Sequence, residues 1–446
     1  MMLTFEYRSE KNLNPIYPLK SSWLYRFKMN LKALFSNTAD TYSVFKYRDF
    51  KNFIAARVLM TLAVQIQNVT LYWQVFKITK NSLSLGMIGL SEALPALAVA
   101  LYAGHLADKM DRRKIVVFST AMFLVTSAAL YFLSINYASG YITNQVWPIY
   151  LTVFASGIAR GFFRPANSAL MSQLVPRELY ASSSAWNSSF WQGAIVAGAA
   201  IGGLIIGFLG IQSSYLIALV LVFAGLILTY RIKPKPIPVQ TIEYSLKESL
   251  AIGVKFVFGN QVFLGALSLD LIAVLFGGAI ALLSVFAQEI LFVGPVQFGF
   301  LNAAPSVGAI LAATYLAYKP PLKKAGINLI VAVAGFGACM IIFALSKNFY
   351  LSLAVLAISG MFDSVSVVIR SSIMQLLTPE NMRGRVSAVN TMFIGSSNEI
   401  GAFESGAAAK AFGLVPSVIM GGSVAIVASL VAAKIAPELK KLNLEN

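Results

Sequence analysis

Apolar residues run through this chain in long blocks, and each block is closed by a short polar interruption rich in Gly, Pro, Asn or charge. A helix needs roughly 20 mostly apolar residues to cross the hydrocarbon core of a bilayer. Blocks of that length predict spans near 52–76, 84–106, 115–136, 147–174, 182–209, 212–230, 262–289, 295–318, 327–345, 349–376, 385–408 and 414–434.

The blocks repeat. Laying Leu85 to Lys114 on Pro295 to Lys324 aligns Gly89 with Gly299, Pro95 with Pro305 and Lys114 with Lys324 at an offset of 210. Further on, "MSQLVPRELYASSSAWNSSF" lies on "MQLLTPENMRGRVSAVNTMF" at an offset of 203, matching Pro176 with Pro379, Asn187 with Asn390 and Phe190 with Phe393. Such self-similarity predicts two parallel halves. The expected fold is all-α: a polytopic membrane protein of 12 transmembrane helices in two pseudo-symmetric six-helix bundles. The domains read as a cytoplasmic N-terminal arm (1–45), a first bundle (46–231), a Pro- and charge-rich linker with a short amphipathic helix (232–260), a second bundle (261–435) and a cytoplasmic tail (436–446). Residues 1–45 lack the apolar core of a signal peptide and read as a poorly ordered arm.

Composition agrees with the pattern: 57% of the 446 residues are hydrophobic and 12% charged, too apolar for a water-soluble core. The formal charge of +17 changes the picture only through its distribution. Basic residues fall in alternate loops: Lys46, Arg48 and Lys51; Lys109, Arg112, Arg113 and Lys114; Arg177; Arg231, Lys233, Lys235 and Lys247; Lys319, Lys323 and Lys324; Arg383 and Arg385; Lys440 and Lys441. The other side keeps Lys77, Lys80, Lys347 and Lys410. By the positive-inside rule both termini are cytoplasmic and the charge is a topology signal, with no nucleic-acid partner implied. One cysteine, Cys339, and one histidine, His105, leave no disulfide framework, metal site or His-based triad, and no phosphate loop for an ATPase is present. An enzyme is not expected, nor is a cofactor.

The stretch "GHLADKMDRRK" resembles the loop between helices two and three of the major facilitator transporters. "SLDLIAVLFGGAIALLSVFAQEILFVGPVQFGFLNAAPSVGA", "RGRVSAVNTMFIGSSNEIGAFESG" and "GFFRPANSALMSQLVP" resemble the drug and siderophore exporter branch of that family. The resemblance implies a cytoplasmic gate. Gly104 would let helix two approach a neighbour closely. Asp108 would face the partly positive N-terminus of helix eleven, near Arg383 and Arg385, and part from it in the inward-open state. Arg112 and Arg113 complete the motif, and the second copy carries Thr314 and Tyr318 where Gly104 and Asp108 stand. "GAAIGG", Gly198 to Gly203, resembles an antiporter-associated element with Ala199 in place of its proline; close helix packing between the halves explains it equally well.

Ionisable residues inside spans are costly and so face a cavity or a partner. They are Glu92, Arg160, Arg164, Asp270, Asp363, Arg370, Glu399 and Glu404. An acid shielded from water can load and release a proton near neutral pH; for that role Asp270 ranks first, then Asp363, then Glu404, with Glu92 a further candidate. The competing reading is permanent ion pairing, favoured for Asp363 with Arg370, which share a helix face. Gln65, Asn68 and Tyr72 form a polar stripe suited to a substrate cavity, or to interhelical hydrogen bonds. Arg160, Arg164, Trp191, Asn390 and Glu399 are further cavity candidates. Phe162, Phe163 and Trp186 could supply aromatic walls, though packing is the commoner use.

The expected function is a secondary active transporter of the bacterial inner membrane, exporting a small amphipathic siderophore or drug-like molecule by proton antiport with alternating access. An importer or facilitator of the same fold, and a non-transporting receptor or scaffold, are the alternatives. Expected partners are the small-molecule substrate, protons, membrane lipids and outer-membrane efflux components, around a monomer. Paired arginines suit an anionic catecholate, whereas the in-span acids suit a cationic drug.

Overall fold

The computed structural model describes residues 42–140, 145–235, 254–277, 279–379 and 382–445. Among them every regular element is helical. The first half holds α1 (Arg48–Thr79), α2 (Ser82–Lys109), α3 (Arg112–Ala138), α4 (Trp147–Met171), α5 (180–209) and α6 (211–230). The second holds α7 (Gln261–Gly277, continuing irregularly to Ile290), α8 (Pro295–Tyr318), α9 (Ala325–Leu345), α10 (Phe349–Leu377), α11 (Arg383–Phe412) and α12 (Leu414–Ile435). Each predicted span falls on one of these rods to within a few residues.

Local chemistry explains the breaks. Asn81, Asp111, Asn260 and Asn348 each accept hydrogen bonds from backbone N–H groups at the start of α2, α3, α7 and α10, satisfying donors a helix end leaves orphaned. Between α5 and α6, and between α11 and α12, the chain turns through Gly210 (φ 87°) and Gly413 (φ 91°). These two glycines are 203 residues apart, the offset of the repeat, and only glycine enters this region without a Cβ penalty. Nine stretches among the described residues are long and apolar enough to span a membrane; one of them, 177–230, contains the Gly210 break. Helices α4 and α11 are not among the nine; they carry Arg160 and Arg164, and Glu399 and Glu404.

The repeat is visible in packing. Gly157 on α4 lies against the backbone of Glu92 and the ring of Pro95 on α2; its counterpart Gly360 on α10 lies against the backbone of Pro305 on α8. Gly198 and Gly202 seat α5 on Leu62, Gln65 and Ile66 of α1, and Gly401 seats α11 on Val274 and Leu275 of α7. The remaining glycine of each set crosses between halves. A Cβ on Gly203 would come within 2.6 Å of Gly299 on α8, and one on Gly406 within 2.9 Å of Gly86 on α2. So "GAAIGG" does both: two of its glycines hold α5 to its own half, and one reaches across.

The halves meet at the end bearing the α1–α2 and α7–α8 turns. One apolar cluster there draws on both, including Val69, Trp73, Phe76, Leu85, Phe286, Phe298 and Leu301. The Trp73 and Phe298 rings meet at 5.4 Å in a tilted arrangement, Lys80 donates to Gln288 at 3.3 Å, and Ser82 donates to the Gly406 carbonyl at 3.4 Å. Toward the linker end the core divides: one cluster belongs to the first half, around Phe50, Ile115 and Leu170, and a separate one to the second, around Phe263, Leu329 and Ile369. Among the described residues the apolar core is therefore shared, and sealed, at one end and divided at the other.

Candidate functional site

Among the described residues, each helical bundle holds an ion pair between two of its helices. In the first half, Arg160 on α4 meets Glu92 on α2 at 2.9 Å, with about one-sixth of each side chain exposed. In the second, Arg370 on α10 pairs with Asp270 on α7; both residues are 6% exposed. Arg370 therefore reaches across to another helix and is not paired with Asp363, seven positions earlier on its own. Asp363 projects from the same face as Arg370, is exposed, and lies within electrostatic reach of both Arg370 and Asp270. The Nε of Arg370 is buried and makes no hydrogen bond among the described residues. One guanidinium is thus bonded to one buried carboxylate and acts on a second only through its charge.

Glu404 is half-buried on α11 beside Ser405, against the irregular part of α7 at Gly277 and Ala279 and against Ser417 and Val418 of α12. That irregularity is real local chemistry: α7 passes through a 3-10 turn at Ala279–Leu282 and a π turn at Phe286–Ile290, which alter the register of the helix where it meets the other half.

On α1 the polar residues divide by face. Gln67 donates to Ser127 on α3 at 2.6 Å, Thr70 shares a hydrogen bond with Ser214 on α6 at 2.6 Å, and Gln74 accepts from Tyr215 at 2.8 Å. These three glue the bundle. Gln65 and Asn68, on another face, make no side-chain hydrogen bond to the described residues; both are half-buried, as is Tyr72, which has a partner. The same stripe begins a further two turns toward the linker end at Arg57, whose guanidinium stands 6.0 Å over the Trp191 ring on α5. Trp191 is 43% exposed. Arg57 escaped the sequence reading because it stands near the start of a span, where a cation reads as part of the basic flank; its spacing of eight to Gln65 was the available signal.

The other aromatic candidates pack. Trp186 stacks on Phe190 at 5.5 Å and under Tyr42 and Phe45, Phe162 meets Tyr102 at 6.2 Å, and Phe163 meets Phe123 at 5.9 Å. Arg164 is exposed on α4 with a partner of its own, and Asn390 is half-buried on α11.

At the linker end, Arg112 donates to the Ala169 carbonyl of α4 at 3.1 Å, and Arg113 donates to the Tyr230 carbonyl of α6 while lying 5.1 Å over that ring. Both therefore brace α3 inside the first half. A Cβ at Gly104 would meet nothing within 4 Å among the described residues, so the close helix approach expected there is not seen among them. The side chains of Asp108, Arg383, Arg385 and Glu399 lie outside the described residues, as do most of the N-terminal arm and linker positions 236–253.

The family described as Major Facilitator Superfamily matches residues 53–402. The enterobactin exporter EntS of Shigella flexneri is 24% identical over 392 residues, covering 86% of this chain and 87% of that protein. The enterobactin exporter EntS of Escherichia coli O1:K1 is 24% identical over 400 residues, with the same coverage. Among solved structures, the nucleoside transporter NupG superimposes with a TM-score of 0.69 at 13% identity, covering 86% of this chain and 98% of its own. A POT family transporter in complex with 5-aminolevulinic acid does so at 0.66 and 13% identity, covering 88% and 96%. The structural likenesses speak to the fold alone.

Proposed function

Since the chain belongs to the Major Facilitator Superfamily, a family of membrane transporters, we propose that it exports a small amphipathic molecule from the cytoplasm in exchange for protons. That it is a multi-pass membrane transporter of a small molecule, and not an enzyme, follows from the family; direction, coupling and substrate class are the proposal. The enterobactin exporters among its relatives support a siderophore or similar compound. The basic loops support a linker end on the cytoplasmic side of a bacterial inner membrane, with both termini on that side. The divided end then faces the cytoplasm, and the conformation is the one that loads cargo.

The observation that carries the reading is the Asp270–Arg370 pair with Asp363 beside it. A buried pair is held together by mutual charge, and neutralising one partner leaves the other stranded at a cost of about 3–5 kcal/mol. A proton arriving on Asp270 frees Arg370 to turn to Asp363 or to an anionic cargo; proton loss restores the pair. Exchange of partners at α7 and α10 thereby couples protonation to the seating of α7, whose irregular segment forms part of the sealed end. Arg57, Gln65, Asn68 and Trp191 offer cargo a cation, two amides and an aromatic face on the first-half side.

The test is proton flux in respiring inside-out vesicles read with a pH-gradient dye, adding in turn an iron-free catecholate siderophore and a lipophilic cation. Dye recovery with one of them, lost in Asp270→Asn protein that still purifies folded, is the expected result and selects the substrate class. Transport that proceeds with no proton movement would replace the exporter reading by a facilitator of the same fold.

A further inference from the structure

Four lysines converge on one groove at the linker end of the second half. Lys323 and Lys324, from the α8–α9 turn, and Lys440 and Lys441, from the short helix Pro437–Lys441, line an open groove of about 560 Å³ together with Ile327, Ala433, Pro437 and Asn443. All four are exposed, and none makes an ion pair or side-chain hydrogen bond with the described residues. Like charges gathered this way repel, so the arrangement has to be held by something else.

The backbone holds it. Leu444 donates to the Leu322 carbonyl at 3.0 Å, and Gly326 donates to the Leu442 carbonyl at 3.4 Å, pinning the tail to the turn. Leu439 is fully buried, with its carbonyl against Gly326, where any Cβ would collide. Asn328 donates to the Pro321 and Lys323 carbonyls at 3.2 and 2.9 Å, fixing the turn from the other side. Lys324 itself takes the left-handed conformation (φ 54°), which residues other than glycine rarely adopt. Two lysine pairs from distant parts of the chain are therefore brought together by specific contacts, without an acidic partner in the groove. Glu438 and Glu445, the nearest acids in sequence, are not among its lining residues.

We infer that the groove seats the headgroup of an anionic phospholipid. The apolar members decide for a lipid over a free phosphate. From Ile327 the exposed apolar row of α9 continues to Val331, and from Ala433 that of α12 continues back through Leu430 and Val427. Acyl chains anchored at the lysines would run along these two rows, while the headgroup phosphate takes the charge. Basic pockets beside membrane helices bind anionic headgroups in this way, each lysine adding a modest attraction at the membrane surface. The inference requires only that the protein spans a membrane and is independent of cargo and coupling.

The experiment is lipid retention by the purified full chain, measured by native mass spectrometry. Phosphatidylglycerol competes against phosphatidylcholine of the same chain length, with inorganic phosphate in a separate arm. Wild type should keep phosphatidylglycerol selectively. K323Q/K324Q and K440Q/K441Q should each weaken retention about thirtyfold, the sum of two surface lysine contributions. K323R/K324R should restore it, which separates loss of charge from loss of fold. K46Q/K51Q, removing equal charge near α1, should change nothing. Equal retention in wild type and the quadruple Gln variant would overturn the inference, as would an equal loss in K46Q/K51Q. Displacement of the lipid by millimolar phosphate would overturn it in favour of a soluble-anion seat.

Discussion

In the first half, Glu92 on α2 pairs with Arg160 on α4 at 2.9 Å. At the equivalent positions of the second half stand Asn302 on α8 and Asp363 on α10. The scaffold is the same, since Pro95 against Gly157 recurs as Pro305 against Gly360. Asn302 turns its amide to the Phe298 carbonyl of its own helix at 2.8 Å, and Asp363 is left exposed without a bonded cation among the described residues. The second half places its ion pair elsewhere, between Asp270 and Arg370. A closed pair between two helices of one half is a strut. A buried pair beside an acid with no bonded cation is a site at which charge can be rearranged, and under the proposed function proton coupling is expected there and not at the strut.

Substitutions in both halves break or sharpen that contrast. The largest effect is expected from Arg370→Met, which strands Asp270 in a buried site. It should cost about 3–5 kcal/mol, read as a large fall in thermal stability of the purified protein, and Arg370→Met with Asp270→Asn should recover much of it. Next come the paired glycines. Gly360→Val and Gly157→Val force a branched side chain into the backbone of Pro305 and Glu92, for about 1–3 kcal/mol; Gly104→Ala, with open space around it, should be silent in the same assay. Glu92→Gln leaves Arg160 partly solvated and should cost about 1.5 kcal/mol, with transport retained. Among the charged positions the smallest effect on stability is expected for Asp363→Asn, within about 0.5 kcal/mol. Its effect on flux should nonetheless be severe, and Asn302→Glu with Asp363→Arg, which rebuilds the first-half strut, should fold well and carry no proton.

Much of this fold was written in the hydrophobic blocks, and the repeat could be read from aligned prolines and glycines. The site was legible as a set of residues but not as pairs. Asp363 and Arg370 share a face, yet seven residues of helix separate them by about 10 Å along the axis, and in this conformation Arg370 bonds Asp270 instead. No one-dimensional pattern states which helix lies opposite and offers the nearer partner. Gly104 shows the converse: the motif is legible, but whether it is packed depends on which conformation the halves adopt. The division of α1 into a bonded face (Gln67, Thr70, Gln74) and an open one (Gln65, Asn68) likewise needed the neighbours α3 and α6 to be seen.

The central claim is that the acids of the second half, and not Glu92, carry the proton. Substrate-induced proton movement in inside-out vesicles, compared between Glu92→Gln and Asp363→Asn at matched amounts of folded protein, tests it most directly. The account predicts dye recovery near the wild-type level for Glu92→Gln and none for Asp363→Asn. Loss in Glu92→Gln with retention in Asp363→Asn would place coupling on the first-half strut and contradict it.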